Sequence, residues 1–442
     1  MKSQSVFFVL LLLKLLVSCS SENESSKTSA PEINFIKTLG GSNNDSAESV
    51  VSTADGGYAI LGYTQSFDGD VTEKSNDAFN FWLLKFDASH VLQWQKNYGG
   101  SNDDRGSSII ETQDGGFAIL GYSQSTDLDV NENAGAKDYW VLKLNALGEQ
   151  QWQNNFGFIG DDSGISIIQT NDSGYLLTGV LDVSASEGQG NSKVSDIKHA
   201  GGDYWAIKLG NSGNLEWSQY FGGTFTDTPY AVVQTNDNGF ILVGSSDSND
   251  VDISSNKGSY DFWVVKLSET GVLVWEKSFG GTEIDEARAI TKTSDNNYVI
   301  VGDTRSNDTD VSLNNGAADL WVIKINDSGD LIWEKTFGGT SFDAGRSVFL
   351  TNDDGFLISG SSRSVDGNVN KNEGQNDAWV LKLDENGNLQ WQQTIGGSEI
   401  DYFYDAAQLS DGSFIAVGES SSANADILEN KGFSDLLILN LK

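Results

Sequence analysis

Apolar residues along this chain come in short runs broken by Gly, Asn and Asp, and nowhere do they hold a helical period over a long stretch. A representative stretch predicts four strands: Arg346–Thr351, Phe356–Ser362, Ala378–Leu383 and Leu389–Ile395. Tight turns at Asn352-Asp353-Asp354-Gly355 and Asp384-Glu385-Asn386-Gly387 join the first pair and the last pair. A long polar loop reaching Asp377 joins the middle two. Runs of this length between turn-forming clusters are the pattern of antiparallel hairpins.

The pattern repeats. Aligned on a Gly-Gly pair, Gly-Phe in the third copy, it recurs at Gly40, Gly99, Gly157, Gly222, Gly280, Gly338 and Gly396, in steps of 59, 58, 65, 58, 58 and 58 residues. An Asp follows at a fixed offset in every copy: Asp45, Asp104, Asp162, Asp227, Asp285, Asp343 and Asp401. All 12 Trp fall at two repeat positions, one on the third strand (Trp82 to Trp379) and one on the fourth (Trp94 to Trp391). Aromatics that recur with the repeat are packing between repeats, and the third-strand lysines (Lys85 to Lys382) are read the same way. Even spacing, four strands per copy and seven copies predict an all-β, seven-bladed β-propeller. The seventh copy stops at Lys442 without a fourth strand, and Ile33–Leu39 looks like that missing strand, with Phe35 in the Trp position. The amino-terminal strand is therefore expected to complete the last blade and leave no open sheet edge. The division that follows is 1–18 signal peptide, 19–31 tether and 32–442 propeller.

Segments such as Lys382-Leu-Asp-Glu-Asn-Gly-Asn-Leu-Gln-Trp391 resemble the strand–turn–strand element of quinoprotein-type propeller repeats, an element also found in the propeller lipoprotein of outer-membrane protein assembly. The Asp-to-Gly spacing is one residue shorter than in that docking motif. With Asp-Gly-Gly-Tyr/Phe opening the second strand, the whole repeat resembles tandem-repeat lipoproteins of Bacteroidota. The resemblance implies a fold, not an activity, and nothing in it calls for the quinone cofactor.

Composition and the amino terminus add an address. Val6–Val17 is an apolar run too short to span a bilayer comfortably, and it ends at Leu16-Val17-Ser18-Cys19. That tetrapeptide resembles a bacterial lipobox, which implies lipid attachment at Cys19, the one cysteine of the chain. The polar, acidic stretch behind it resembles a surface-export signal, so the expected location is the outer membrane, facing outward, with a periplasmic orientation as the alternative. A formal net charge of −36 excludes nucleic acid and leaves the lipid as the sole expected membrane contact. The chain is expected to be a monomer.

Candidate chemistry is sparse. Loops between strands 2 and 3 and between blades share one end of the propeller, the upper face, which is the expected surface for a protein or glycan partner. Acidic loop patterns such as Asp68-Gly-Asp70, Asp127-Leu-Asp129 and Asp308-Thr-Asp310 leave calcium open as the single candidate cofactor, against a reading as turns that satisfy backbone groups. The Asp ring is read as turn capping. Only two histidines occur, His90 in a turn on the opposite face and His199 in an enlarged loop, so no nucleophilic triad or His-based metal site can be assembled.

What varies between otherwise equal copies is more informative. Of five arginines, four occupy two repeat positions in blades 5 and 6: Arg288 and Arg346, and Arg305 and Arg363. Guanidinium groups suit carboxylate, sulfate or phosphate. The expectation is an anion site at the upper face flanked by Tyr402, Phe403 and Tyr404; the competing one pairs each Arg with a loop Asp such as Asp303, Asp308 or Asp366. Duplication of one blade into its neighbour would equally place the arginines in both. The leading functional expectation is a non-catalytic, surface-anchored lipoprotein that binds a protein or polysaccharide. The alternatives are a lyase or hydrolase acting on an acidic glycan, and an outer-membrane assembly or structural scaffold.

Overall fold

A computed structural model describes residues 29–191 and 201–442. Cys19, most of the tether and His199 lie outside the described residues. Seven four-stranded antiparallel sheets form, each in the order A-B-C-D, with strand A innermost and in contact with strand A of both neighbours. Blade 6 shows the unit: A is Asp343–Leu350, B Phe356–Ser362, C Asp377–Leu383 and D Leu389–Ile395. Strand A starts three residues earlier than its apolar run predicts, because Asp343 already pairs with Ser362. Blade 7 is closed by the amino-terminal strand Ile33–Leu39, which pairs antiparallel with the carboxy-terminal strand Asp435–Leu441. The backbones of Glu32 and Lys442 exchange two hydrogen bonds at the end of that pairing. A propeller closed in this way has no free edge there.

The core lies between blades. At four seams the strand-C Trp of one blade packs on the aromatic residue preceding the Trp of the blade before it. Phe81–Trp140, Tyr139–Trp205, Tyr204–Trp263 and Phe262–Trp321 have ring centroids 4.5 to 5.0 Å apart. Strand-D Trp residues meet the first residue of strand B in the next blade, as in Trp391–Phe414 at 5.6 Å. Buried indole nitrogens are satisfied within the repeat: Trp379 donates to Gln392 at 3.0 Å and Trp82 to Gln95 at 2.9 Å. Each strand-C Lys is almost fully buried and spans to an acidic turn on the lower face, as in Lys85–Asp55 at 2.8 Å and Lys382–Asp353 at 2.9 Å.

The Asp ring at the head of strand A is structural. Asp45 accepts from the Gly41 N–H at 2.8 Å and from the hydroxyls of Ser66 (2.7 Å) and Thr64, which ties the Gly-Gly turn to the following loop. The same three-way bond recurs around Asp285 and Asp401. The loop carboxylates cap backbone too: Asp68 accepts from Ser42 N–H at 2.8 Å and Asp70 from Gly40 N–H at 3.1 Å. Asp308 and Asp366 do the same for Thr282 and Thr340, at 2.9 and 2.8 Å. Among the described residues no group of three or more His, Cys, Asp or Glu is placed to hold a metal ion.

Candidate functional site at the channel mouth

Every strand A carries a β-bulge, and in all seven blades it falls at the same repeat position. In blade 5 the pairing steps from Ala287 to Ala289 and leaves Arg288 out of register; in blade 6 it leaves out Arg346. A bulged residue is re-aimed relative to the pleat. Because strand A is innermost, these positions ring the central channel: Glu48, Ser107, Ile165, Tyr230, Arg288, Arg346 and Tyr404. Copies that agree elsewhere differ here. One side of the ring carries guanidinium groups and the other carries acid.

On the basic side, Arg288 is largely buried. Its guanidinium lies 4.2 Å from the Tyr230 ring centre and pairs with Glu286 at 3.0 Å, while its Nε is buried without a partner. Arg346 Nε is likewise buried without a partner, and among the described residues no carboxylate lies within ion-pair distance of Arg346. Asp303, 2% exposed, sits among Arg288, Arg346 and Arg305. Burial pushes its carboxyl up to about 6 against the pull of those three cations. Arg305 is exposed at the rim, over the Phe342 ring. Arg363 turns instead to the side chain of Asn376. The structure therefore brings three of the four arginines together and places the fourth aside. The Asp308 and Asp366 carboxylates are engaged by backbone, and among the described residues the four arginines make one ion pair, Arg288 with Glu286.

On the acidic side, Tyr404 donates to Glu419 at 2.7 Å and stacks on Tyr402, with centroids 5.8 Å apart. Phe403 points the other way: it is fully buried in the core, as strand alternation requires, and is no part of the site. Glu48 accepts from Ser46 at 3.0 Å. Burial first, and the neighbouring Glu419 carboxylate second, push Glu48 up to about 8 and make it a hydrogen-bond donor at neutral pH. Glu419 is itself raised by burial.

Above this ring, over the seam of blades 7 and 1, lies an open cavity of about 520 Å³ walled by Tyr63, Phe79, Arg105, Tyr402, Glu419 and Phe433. The fifth arginine holds it together. Arg105 lies 3.9 Å from the centre of Phe79 and 4.8 Å from that of Tyr63, and makes a two-point pair with Asp103 at 2.8 and 3.2 Å. Of the residues expected from sequence, only Tyr402 lines this cavity. Arg105 was legible as a deviation, since no other copy has Arg at that position, but only ring closure brings it opposite Tyr402 and Phe433.

No family model matches the chain. One curated relative, the regulatory protein FlaEY of Caulobacter vibrioides, is 20% identical over a 406-position alignment that covers 83% of this chain and 41% of that protein. The chain thus spans about two fifths of the length of the relative it matches. The WD40 domain of Pan2 from Neurospora crassa is similar in structure at a TM-score of 0.51 and 10% identity, covering 93% of this chain and 97% of that one. A putative 6-phosphogluconolactonase from Bacteroides fragilis (0.44, 12% identity, 87% and 96% covered) is more distant. So is the quinone-bound aldose sugar dehydrogenase of Streptomyces coelicolor (0.37, 9% identity, 76% and 94% covered). At these identities the likeness is one of fold.

Proposed function

We propose that this protein is a non-catalytic binding module that holds a protein or polysaccharide partner on its upper face, with an anionic group of the partner at the mouth of the channel. The observation that carries this reading is the pair of guanidinium groups, Arg288 and Arg346, which enter the channel at bulged positions with Nε buried and unpartnered. A buried donor without an acceptor costs about 1–3 kcal/mol, and an anionic ligand would recover it. Lipid attachment at Cys19, and through it a place on the outer face of the outer membrane, complete the reading. Propellers commonly serve as interaction scaffolds, which is consistent with it.

The test is a binding screen of acidic oligosaccharides and simple carboxylates against the full chain and Arg346→Ala. Arg346 is the better substitution because it has no ion pair to lose. Loss of at least about tenfold in affinity supports the reading, whereas binding indifferent to Arg346→Ala moves the site elsewhere. One observation keeps a second reading alive: the paired acids Glu48 and Glu419, one raised to about 8, could serve as acid and base on an acidic glycan. Turnover of an oligogalacturonate by the full chain, abolished in Glu48→Gln, would establish that enzyme and sink the non-catalytic reading.

A further inference from the structure

We infer that the cavity over the seam of blades 7 and 1 is a subsite for an uncharged saccharide ring, stacked between Tyr402 and Phe433. This rests on the upper face being the binding face, and it names the chemistry of the ligand there. Three observations converge on it.

The first is departure from the repeat, by Phe433 without a packing reason and by Tyr402 with one ring face already stacked on Tyr404. Phe433 stands where the other blades carry Ala, Gly, Ser or Gln, and it is 71% exposed. Tyr402 stands where the others carry Ser, Arg, Thr, Glu or Ala. Folding gains little from an aromatic ring left in water, so its presence at a cavity rim points to a ligand.

The second is charge balance. The cavity wall holds one cation and one acid, and each is already engaged: Arg105 by Asp103, Glu419 by the Tyr404 hydroxyl. An anionic ligand would meet Glu419 and an ammonium would meet Arg105, whereas a neutral polar ligand disturbs neither pair. The third is the mixture of surfaces. Aromatic faces alternate with the hydroxyl and amide groups of Ser421, Ser434 and Asn44. A sugar ring presents that combination, with C–H bonds directed at a ring's negative face and hydroxyls around the edge.

The experiment is a glycan array of neutral hexose and pentose oligomers together with uronate oligomers, probed with the full chain, Tyr402→Ala, Phe433→Ala and Leu128→Ala. Leu128 is an exposed apolar residue of another blade and serves as control. Thermal melts of all four verify folding. The expected result is binding to a neutral oligomer, weakened about tenfold or more in Tyr402→Ala and in Phe433→Ala and unchanged in Leu128→Ala. Absence of binding to every neutral oligomer, or binding that both substitutions leave intact, overturns the subsite. Binding only to uronates also overturns it while leaving the channel-mouth reading standing.

Discussion

At the scale of single residues, two departures from the repeat turn out to be one. His90 occupies a strand C–D turn position that is Gly in the other copies, and it adopts φ 62, the left-handed region that favours glycine. Elsewhere the turn Gly abuts the strand-D Trp of the preceding blade; a Cβ on Gly387 would meet Trp333 at 2.9 Å, and one on Gly271 would meet Trp217 at 2.8 Å. In front of His90 the preceding blade offers Phe35 instead, and the two rings pack edge to face with centroids 5.0 Å apart. The smaller ring makes room for the side chain. Phe35→Trp should therefore cost about 1–3 kcal/mol alone by overpacking, and His90→Gly should rescue most of that loss; equilibrium denaturation of the two single variants and the double measures the coupling. Glu48 gives a second prediction. Its folded pKa lies near 8 against an ordinary value of 4.5, so the stability it contributes is complete below about 4.5 and lost as pH rises through 8. Glu48→Gln mimics the neutral form and should match the parent near pH 4.5 but exceed it by about 4–5 kcal/mol at pH 9, read from denaturant midpoints.

At the scale of the strand, the bulge and the strand-B glycine are one device. Where strand A bulges, its backbone leans over strand B: a Cβ at Gly360 would sit 1.9 Å from the Ala344 carbonyl oxygen, and one at Gly302 1.9 Å from that of Glu286. The glycine is needed for this close approach, and the approach in turn aims Arg288 and Arg346 into the channel. Gly360→Ala should destabilise by more than about 2 kcal/mol and displace Arg346. Gly412→Ala, at a turn with φ +90 and open space around it, should cost only about 1 kcal/mol. Thermal melts of both variants decide whether sterics or backbone freedom dominates.

At the scale of the molecule, the blades are riveted by buried acids. Across six of the seven seams the strand-C Asp of one blade faces the strand-A Asp of the next, as in Asp435 with Asp45 and Asp377 with Asp401; at the remaining seam Asn80 faces Asp104. Burial first, then the partner's charge, pushes Asp435 and Asp377 up to about 6 and Asp261 to about 7. A raised carboxyl stabilises the fold below its unfolded pKa and loses that contribution as pH climbs through its folded one. Melting temperature should accordingly fall between about pH 4 and pH 7. The turn acids paired with lysines act oppositely: Asp55 and Asp114, held near 2 by hydrogen bonds from Lys85 and Thr53 and from Thr112 and Lys143, lose their smaller, solvent-screened contribution only below pH 4. Calorimetry at pH 5 and 7.5 checks the sign; a higher melting temperature at 7.5 would refute the acid-pair account. Closure makes a separate demand. Removing residues 29–39 uncovers the Asp435–Leu441 strand, and the truncated chain should melt lower and self-associate through that edge, visible by size-exclusion chromatography.

Much of this architecture is local, and so it was written in the sequence. Strand period, turn chemistry and a recurring Trp determine a four-stranded blade; seven copies and a stray strand at Ile33–Leu39 determine the closed ring. Strand-A starts were less legible, because Asp343-Ala344-Gly345 carries no apolar run and pairs through backbone alone. The site was legible only as a set of departures from the repeat: Arg288 and Arg346 stood out, but Phe403 looked like a neighbour of the site and is core. Tertiary structure decided the rest. A bulge sets which side chain enters the channel, and bulges depend on how one strand lies over another. Closure of the ring places Tyr402 and Glu419 against Tyr63 and Arg105, residues some three hundred positions apart in the chain. No local pattern encodes that meeting, because it follows from seven blade-to-blade rotations summing to a circle.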